Sequence, residues 1–209
     1  LIDLRQLAQP QERVRLVRTL DSADLTPITL QPRPELWALV VVSNPSDLGN
    51  FNLAEVDVDA EVARIRTALG AIPCTILGDH ADAVGRATLA NMTAQVRSAP
   101  PLVFVVAHGT QQTDGPYLWL EQADGTSDQV EGTAFVDTID RLNTRPLLLA
   151  LLSCQSAGRG YSDTLIALGP QLAQIAVPAV LAFQGMVLMS TVKTLLPTLL
   201  SELARDGQF

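Results

Sequence analysis

Pro146-Leu147-Leu148-Leu149-Ala150-Leu151-Leu152-Ser153-Cys154 is the stretch that decides the fold class of this chain. Its apolar residues are continuous rather than alternating, which is typical of a strand in a parallel sheet that helices cover on both faces. An earlier run, 102–107, has the same character and ends on His108. Reactive groups collect beyond the carboxyl ends of such strands. Cys154 and His108 are therefore the first candidate functional residues.

Strands and helices alternate along the rest of the sequence. Asp124-Gly125 lies between two apolar segments and predicts a small hairpin within 117–130, off the main sheet. The expected fold is α/β, a three-layer sandwich with a mostly parallel sheet, helices on both faces and a small hairpin insertion. The predicted strands are 36–42, 74–77, 102–107, 146–153 and 179–183; the predicted helices are 58–69, 84–98, one through 135–142, 165–176 and 191–204, the last kinked at Pro197.

The chain is expected to form one main domain preceded by a short segment. With 209 residues, 47% of them hydrophobic, it can bury a sizeable core. Residues 1–35 contain several prolines and one candidate helix at 11–20, so we expect an approach segment that packs on the domain of 36–209. Leu1 is not a start methionine, which indicates a piece of a longer protein.

Charge and composition exclude several classes of partner. The net charge of −8 argues against direct nucleic-acid binding, which needs a basic surface. The longest apolar stretch, 175–189, is interrupted by Pro178 and is shorter than the roughly 20 residues that span a bilayer, so no membrane partner is expected. Two cysteines do not make a disulfide framework, and 1–7 is too polar for a signal-peptide core. We therefore expect a cytoplasmic location.

Other candidate sites have simpler explanations. Asp79, His80 and Asp82 match metal ligands in residue type, but their spacing matches no established site and a solvated loop is expected. Trp37 is expected to pack in the core and Trp119 in the hairpin. The sequence has no Gly-x-Ser-x-Gly motif and no phosphate-binding glycine loop. No metal or cofactor is predicted.

Residue type alone leaves two interpretations of Cys154 and His108 open. A free cysteine is most often inert packing, and a histidine at a strand end is most often structural. In favour of catalysis, small residues follow Cys154 and leave room for a substrate, and Gly109 permits close backbone approach beside His108. A catalytic dyad and a pair of structural residues are both compatible with these observations.

Three ordered motifs carry a resemblance to a known family. They are Ala107-His108-Gly109, Leu151-Leu152-Ser153-Cys154-Gln155 and the run 177–184. Together with the stretch 41–45 and the helix 58–69 they resemble a CHAT domain, a bacterial branch of the caspase-like cysteine peptidases, which also include separase and gingipain. The 46 residues from His108 to Cys154 are close to the roughly 50 of the caspase pattern. The likeness extends from about residue 36 to 208 and implies a caspase-like fold.

The resemblance also implies roles for individual residues. Cys154 matches the nucleophile, His108 the general base or acid, and the N–H groups of Gly109 and Cys154 the oxyanion donors. Asp163 would either favour a basic substrate side chain or cap the helix after it. Leu-Ser-Cys-Gln-Ser stands where caspases have Gln-Ala-Cys-x-Gly, so aspartate specificity is not implied. The residues expected to bind substrate are Gln155, Asp163, Phe183, Gln184, Gly185 and Met186.

The leading functional hypothesis is a cysteine endopeptidase. The resemblance implies a protein or peptide substrate, a regulated bacterial stress, antiviral defence or cell-death pathway, and a sensor or activator domain or protein as a further partner. The alternative is a catalytically silent caspase-like signalling or scaffold module, because such domains usually continue into a further strand whereas this chain ends at Phe209. A cysteine acyltransferase or non-peptide hydrolase on the same fold is a third reading.

Overall fold

The computed structural model describes residues 35–152, 163–182 and 197–199, with the backbone alone for 163–167. The strands in this part of the chain are β1 (Ala38–Val42), β2 (Cys74–Leu77), β3 (Leu102–Val106), β4 (His108–Gln112), β5 (Gly115–Glu121), β6 (Ser127–Glu131), β7 (Leu148–Leu152) and β8 (Ala179–Ala182). The helices are α1 (Val58–Leu69), α2 (Leu89–Val96), α3 (Gly132–Asp140) and α4 (Asp163–Gln174), with a 3-10 helix at Leu48–Phe51.

The main sheet is parallel and has the strand order β2-β1-β3-β7-β8. Every residue of β1, β3 and β7 is buried, as their continuous apolar sequences predict. Consecutive residues face opposite sides: Phe104 and Val106 pack with α1, whereas Val103 and Val105 pack with α2, α3 and α4. The predicted α/β sandwich with helices on both faces is confirmed.

Capping residues set the beginnings of the first two helices. Asp57 caps α1 and Thr88 caps α2, each side chain accepting the backbone N–H three residues later at 3.0 Å. The predicted helix 84–98 therefore begins later than expected, at Leu89. Residues 84–88 are not helical, and the N–H of Val84 instead donates to the Ile76 carbonyl at 2.9 Å.

The antiparallel sheet, with the order β4-β5-β6, is larger than the predicted hairpin. β5 and β6 form that hairpin, and Gly125 in its turn adopts a φ of 88°, which glycine tolerates without strain. β4 is an additional strand paired with β5 from His108 to Gln112. The polar sequence of β4 gives no strand signal, so its conformation depends on the partner that β5 provides.

The other predicted elements agree with the structure, apart from shifts at their ends. The strand expected at 146–153 is β7, the helix expected at 165–176 is α4, and the strand expected at 179–183 is β8. The helix expected at 191–204 lies outside the described residues except for 197–199, which are helical. Residues 1–34 also lie outside, so the approach segment and the division at residue 35 stay predictions. Among the described helices, none has the length and apolar character to cross a membrane.

Candidate functional site

The site is built where two neighbouring strands of the parallel sheet end. β3 and β7 pair in register, with Val106 opposite Leu152, and the N–H of Ala107 donates to the Leu152 carbonyl at 3.3 Å. His108 follows Val106 by two residues, and Cys154 follows Leu152 by two residues. Cys154 itself lies outside the described residues. The predicted adjacency of the two strands is confirmed, and the position of the thiol is not described.

His108 is the first residue of β4 and is only 8% exposed. Its ring Nε2 lies 2.7 Å from the carbonyl oxygen of Ala54. A carbonyl oxygen can only accept, so this hydrogen bond assigns the proton of the neutral ring to Nε2 and leaves Nδ1 with a free lone pair. Nδ1 is therefore the atom of His108 that can act as a base.

The electrostatic environment of His108 favours the neutral ring. Burial lowers the pKa of His108 below its ordinary value, and the hydrogen bond to the Ala54 carbonyl opposes this effect to a smaller extent. The ring is accordingly unprotonated at neutral pH. A neutral imidazole with a free Nδ1 can remove a proton from a thiol, and the resulting imidazolium can donate that proton again.

A hydrogen-bonded chain holds the carbonyl that orients His108. Ala54 lies in the segment between the 3-10 helix and α1, and the Asn44 side chain fixes this segment by accepting the N–H of Val56 at 2.8 Å. The N–H of Asn44 in turn donates to Glu121 Oε1 at 3.1 Å. The segments after β1 and before α1 are thus connected to the end of β5.

Glu121 is the buried charge in this arrangement, with 0% exposure. Besides Asn44, its Oε2 accepts the N–H of Ala87 at 3.3 Å and lies 3.5 Å from the guanidinium of Arg86. The sequence analysis missed Glu121. The available signal was its position as a single acidic residue directly after Leu118-Trp119-Leu120, because an acidic side chain at the end of an apolar strand is buried only when it is paired.

The remaining predicted site residues are only partly described. Gly109 lies in β4 opposite Leu118 and is half-buried, directly beside His108. Asp163 is the first residue of α4, one position inside the place that a capping residue occupies, and its side chain is not described, so both interpretations of it stay predictions. β8 ends at Ala182 and borders β7, so it is the edge strand on this side of the described sheet. Outside the described residues lie Cys154, Gln155, Phe183, Gln184, Gly185 and Met186.

The side chains of His80 and Asp82, for which the sequence analysis favours a solvated loop over a metal site, contact other groups of the protein. The ring Nδ1 of His80 accepts the N–H of Asp82 at 3.0 Å, and the Asp82 carboxylate pairs with Arg66 at 2.8 Å. Within the described ranges, no group of three or more His, Cys, Asp or Glu side chains is placed to hold a metal ion. The second cysteine, Cys74, begins β2 opposite Ala38, at the end of the sheet away from His108.

Comparison with protein families supplies a match that covers most of the sequence. The family model described as CHAT domain matches residues 3–208, which is nearly the whole chain. The comparison with curated proteins returned no match.

Proposed function

The chain belongs to the CHAT domain family, whose members are part of the caspase-like cysteine peptidase clan, and we propose that it is a cysteine endopeptidase with His108 and Cys154 as its catalytic dyad. The observation that carries the proposal is the register of β3 and β7, because Val106 and Leu152 are partners and both candidate residues follow two positions later. A dyad also requires a base, and the free lone pair at Nδ1 of His108 supplies it.

Strand geometry supports the pairing of the two side chains. Neighbouring strands lie about 4.8 Å apart, and a side chain two residues further along a strand points to the same face. Val106 and Leu152 both belong to the core layer on the α1 side. Two residues span at most about 7 Å, so chain connectivity keeps Cys154 near the end of β7. The proposal places the imidazole and the thiol on the same side of the sheet.

The mechanism follows from these groups. His108 Nδ1 takes the proton of the Cys154 thiol, and the thiolate sulfur attacks the carbonyl carbon of the scissile bond. The N–H groups of Gly109 and Cys154 stabilise the oxyanion. The imidazolium returns its proton to the leaving nitrogen as the C–N bond breaks, which leaves a thioester on Cys154. His108 then takes a proton from water, the hydroxide attacks the thioester, and the carboxylic acid product leaves as the thiol is restored.

Substrate binding and biological role form the finer part of the proposal. The substrate would lie extended along the edge after β8, with contacts from Phe183, Gln184, Gly185 and Met186, and Gln155 and Asp163 would shape the pocket before the scissile bond. Family membership suggests a protein substrate, a sensor or activator that controls activity, and a role in a regulated bacterial stress, defence or cell-death pathway.

A pooled library of internally quenched peptides tests the proposal, with every residue beside the scissile bond varied. We expect turnover by the unchanged chain, complete loss with Cys154→Ala, and a loss of at least about 100-fold with His108→Ala. The matched control is Cys74→Ala, which removes the other thiol and should retain activity.

Retention of turnover in Cys154→Ala would overturn the proposed nucleophile. Absence of turnover in every variant, in a folded protein and with candidate activators added, would instead support the silent signalling or scaffold module.

A further inference from the structure

Phe51 is an exposed aromatic residue that contacts Trp119, the cross-strand partner of His108. Among the described residues, the large hydrophobic side chains that are exposed are Phe51 at 42% and Val84 at 62%. Phe51 ends the 3-10 helix, and its ring centroid lies 4.6 Å from that of Trp119, with an angle of 58° between the ring planes. This tilted arrangement is one that aromatic pairs prefer, so the exposed ring has a defined position.

Trp119 connects Phe51 to His108 through the antiparallel sheet. His108 and Trp119 are direct partners in the pairing of β4 with β5, so their side chains extend from the same face. The indole Nε1–H of Trp119 donates to Thr110 Oγ1 at 3.1 Å, which fixes the ring on that face. The opposite face, with Leu118 and Leu120, is buried in the core.

The chain itself makes a second connection. Phe51 precedes Ala54 by three residues, and the Ala54 carbonyl holds the Nε2–H of His108. The aromatic pair is therefore attached to His108 both by the strand pairing and by the segment that orients the imidazole. A single exposed aromatic residue is ordinary on a protein surface, but this one contacts the cross-strand partner of the proposed general acid.

The role of His108 as general acid indicates which part of a substrate would lie next to Phe51 and Trp119. His108 can protonate the leaving nitrogen only within hydrogen-bond reach. That nitrogen belongs to the residue that follows the scissile bond, so the side chain of this residue lies next to the partners of His108. We propose that Phe51, held in place by the buried ring of Trp119, forms an apolar subsite for that side chain, and that the enzyme selects a large aliphatic or aromatic residue there. This inference rests on the proposed peptidase function.

The first test measures selectivity with internally quenched peptides that differ only in the residue after the scissile bond. We expect kcat/KM to be higher for Leu or Phe than for Ser or Asp at this position, and Phe51→Ala to reduce the preference by about tenfold. Phe51→Leu should keep most of it. The matched control is Val84→Ala, which removes the other large hydrophobic side chain that is exposed among the described residues and should change nothing. An unchanged preference in Phe51→Ala would overturn the subsite while leaving the peptidase standing.

The second test does not depend on turnover. The chain has two tryptophans, so Trp37→Phe combined with Cys154→Ala leaves Trp119 as the only indole in a protein that cannot cleave. Titration with the same peptides should change Trp119 fluorescence at lower concentration for Leu or Phe than for Ser, and Phe51→Ala should weaken this binding about tenfold. This response without turnover in the parent chain would retain the subsite and reject the peptidase. Equal responses to all peptides, or none, would overturn the subsite.

Discussion

At the scale of single residues, Glu121 stabilises the segments around His108 through hydrogen bonds that the sequence alone does not reveal. Its two carboxylate oxygens accept backbone N–H groups from Asn44 and Ala87, and both N–H groups depend on an acceptor at that place. A glutamine has one carbonyl oxygen and one NH2 group, so one of the two N–H donors would face another donor. Burial makes such an unmet hydrogen bond costly.

We therefore expect Glu121→Gln to lower the free energy of unfolding by about 1–3 kcal/mol, measured by urea denaturation, and to lower kcat by disturbing the segment that orients His108. The control is Glu131→Gln on β6, which is exposed and should change the free energy of unfolding by less than about 0.5 kcal/mol. A Glu121→Gln protein as stable as the unchanged chain would contradict the structural role assigned to this carboxylate.

His108 gives the protein a pH dependence with a defined sign. Its pKa in the folded chain is lower than the ordinary value of 6.5, mainly because of burial. Between the two values the unfolded chain binds more protons than the folded chain, so stability rises with pH. The contribution of the neutral ring is complete above about 6.5 and is lost as pH falls toward the folded-state pKa.

NMR titration of the imidazole signals should therefore show a midpoint below 6.5 for His108. The chain has two histidines, so a His80→Gln variant assigns both rings. The acid limb of kcat/KM should follow the same ionisation. A His108 midpoint at or above 6.5 would show that the imidazole is not buried as described.

Elements differ in how well the sequence predicts them, and the reason is the origin of their stability. β1, β3 and β7 were predicted because burial on both faces requires continuous apolar residues, which are visible in the sequence. β4 was missed because its polar residues form a strand only through pairing with β5. The Ala54 carbonyl was missed because a backbone acceptor has no sequence signature, although both members of the proposed dyad do.

The junction between β6 and α3 depends on the absence of a side chain. A Cβ atom at Gly132 would lie 2.5 Å from Leu168 Cδ2 and 2.9 Å from the Pro116 carbonyl oxygen. These atoms belong to α4 and β5, so a methyl group would force the antiparallel sheet and α4 apart. Overpacking of this kind costs about 1–3 kcal/mol.

We expect Gly132→Ala to lower the midpoint of thermal unfolding by several degrees, measured by circular dichroism. The matched control is Gly49→Ala, since a Cβ at Gly49 would meet no atom within 4 Å. Equal midpoints for the two variants would indicate that α4 packs less closely on this junction than the structure describes.

At the scale of the whole molecule, the two sheets are joined through the loop after β1 and the segment before α2, and they share one core layer. The loop after β1 is bound to the hairpin, where Asp47 accepts the N–H and the hydroxyl of Ser127 at 2.8 and 3.0 Å. The shared layer contains Leu118, Leu120 and Val130 from the antiparallel sheet together with alternate residues of β1, β3 and β7. His108 lies between the sheets, so its surroundings depend on both.

Because the two sheets share this layer, we expect them to unfold as one cooperative unit. Trp37 directly precedes β1 and Trp119 lies in β5, so single-tryptophan variants report each sheet separately. In urea, Trp37→Phe and Trp119→Phe should each show a fluorescence transition that coincides with the loss of far-UV circular dichroism in the same variant.

Leu120 is fully buried, and Leu120→Ala should lower the free energy of unfolding by about 2–5 kcal/mol, whether unfolding is followed by fluorescence or by circular dichroism. Val84→Ala, at an exposed position, should shift neither. A fluorescence transition of Trp119 at lower urea than the loss of circular dichroism would show that the antiparallel sheet unfolds first. The contacts that bury His108 would then be lost before the parallel sheet unfolds.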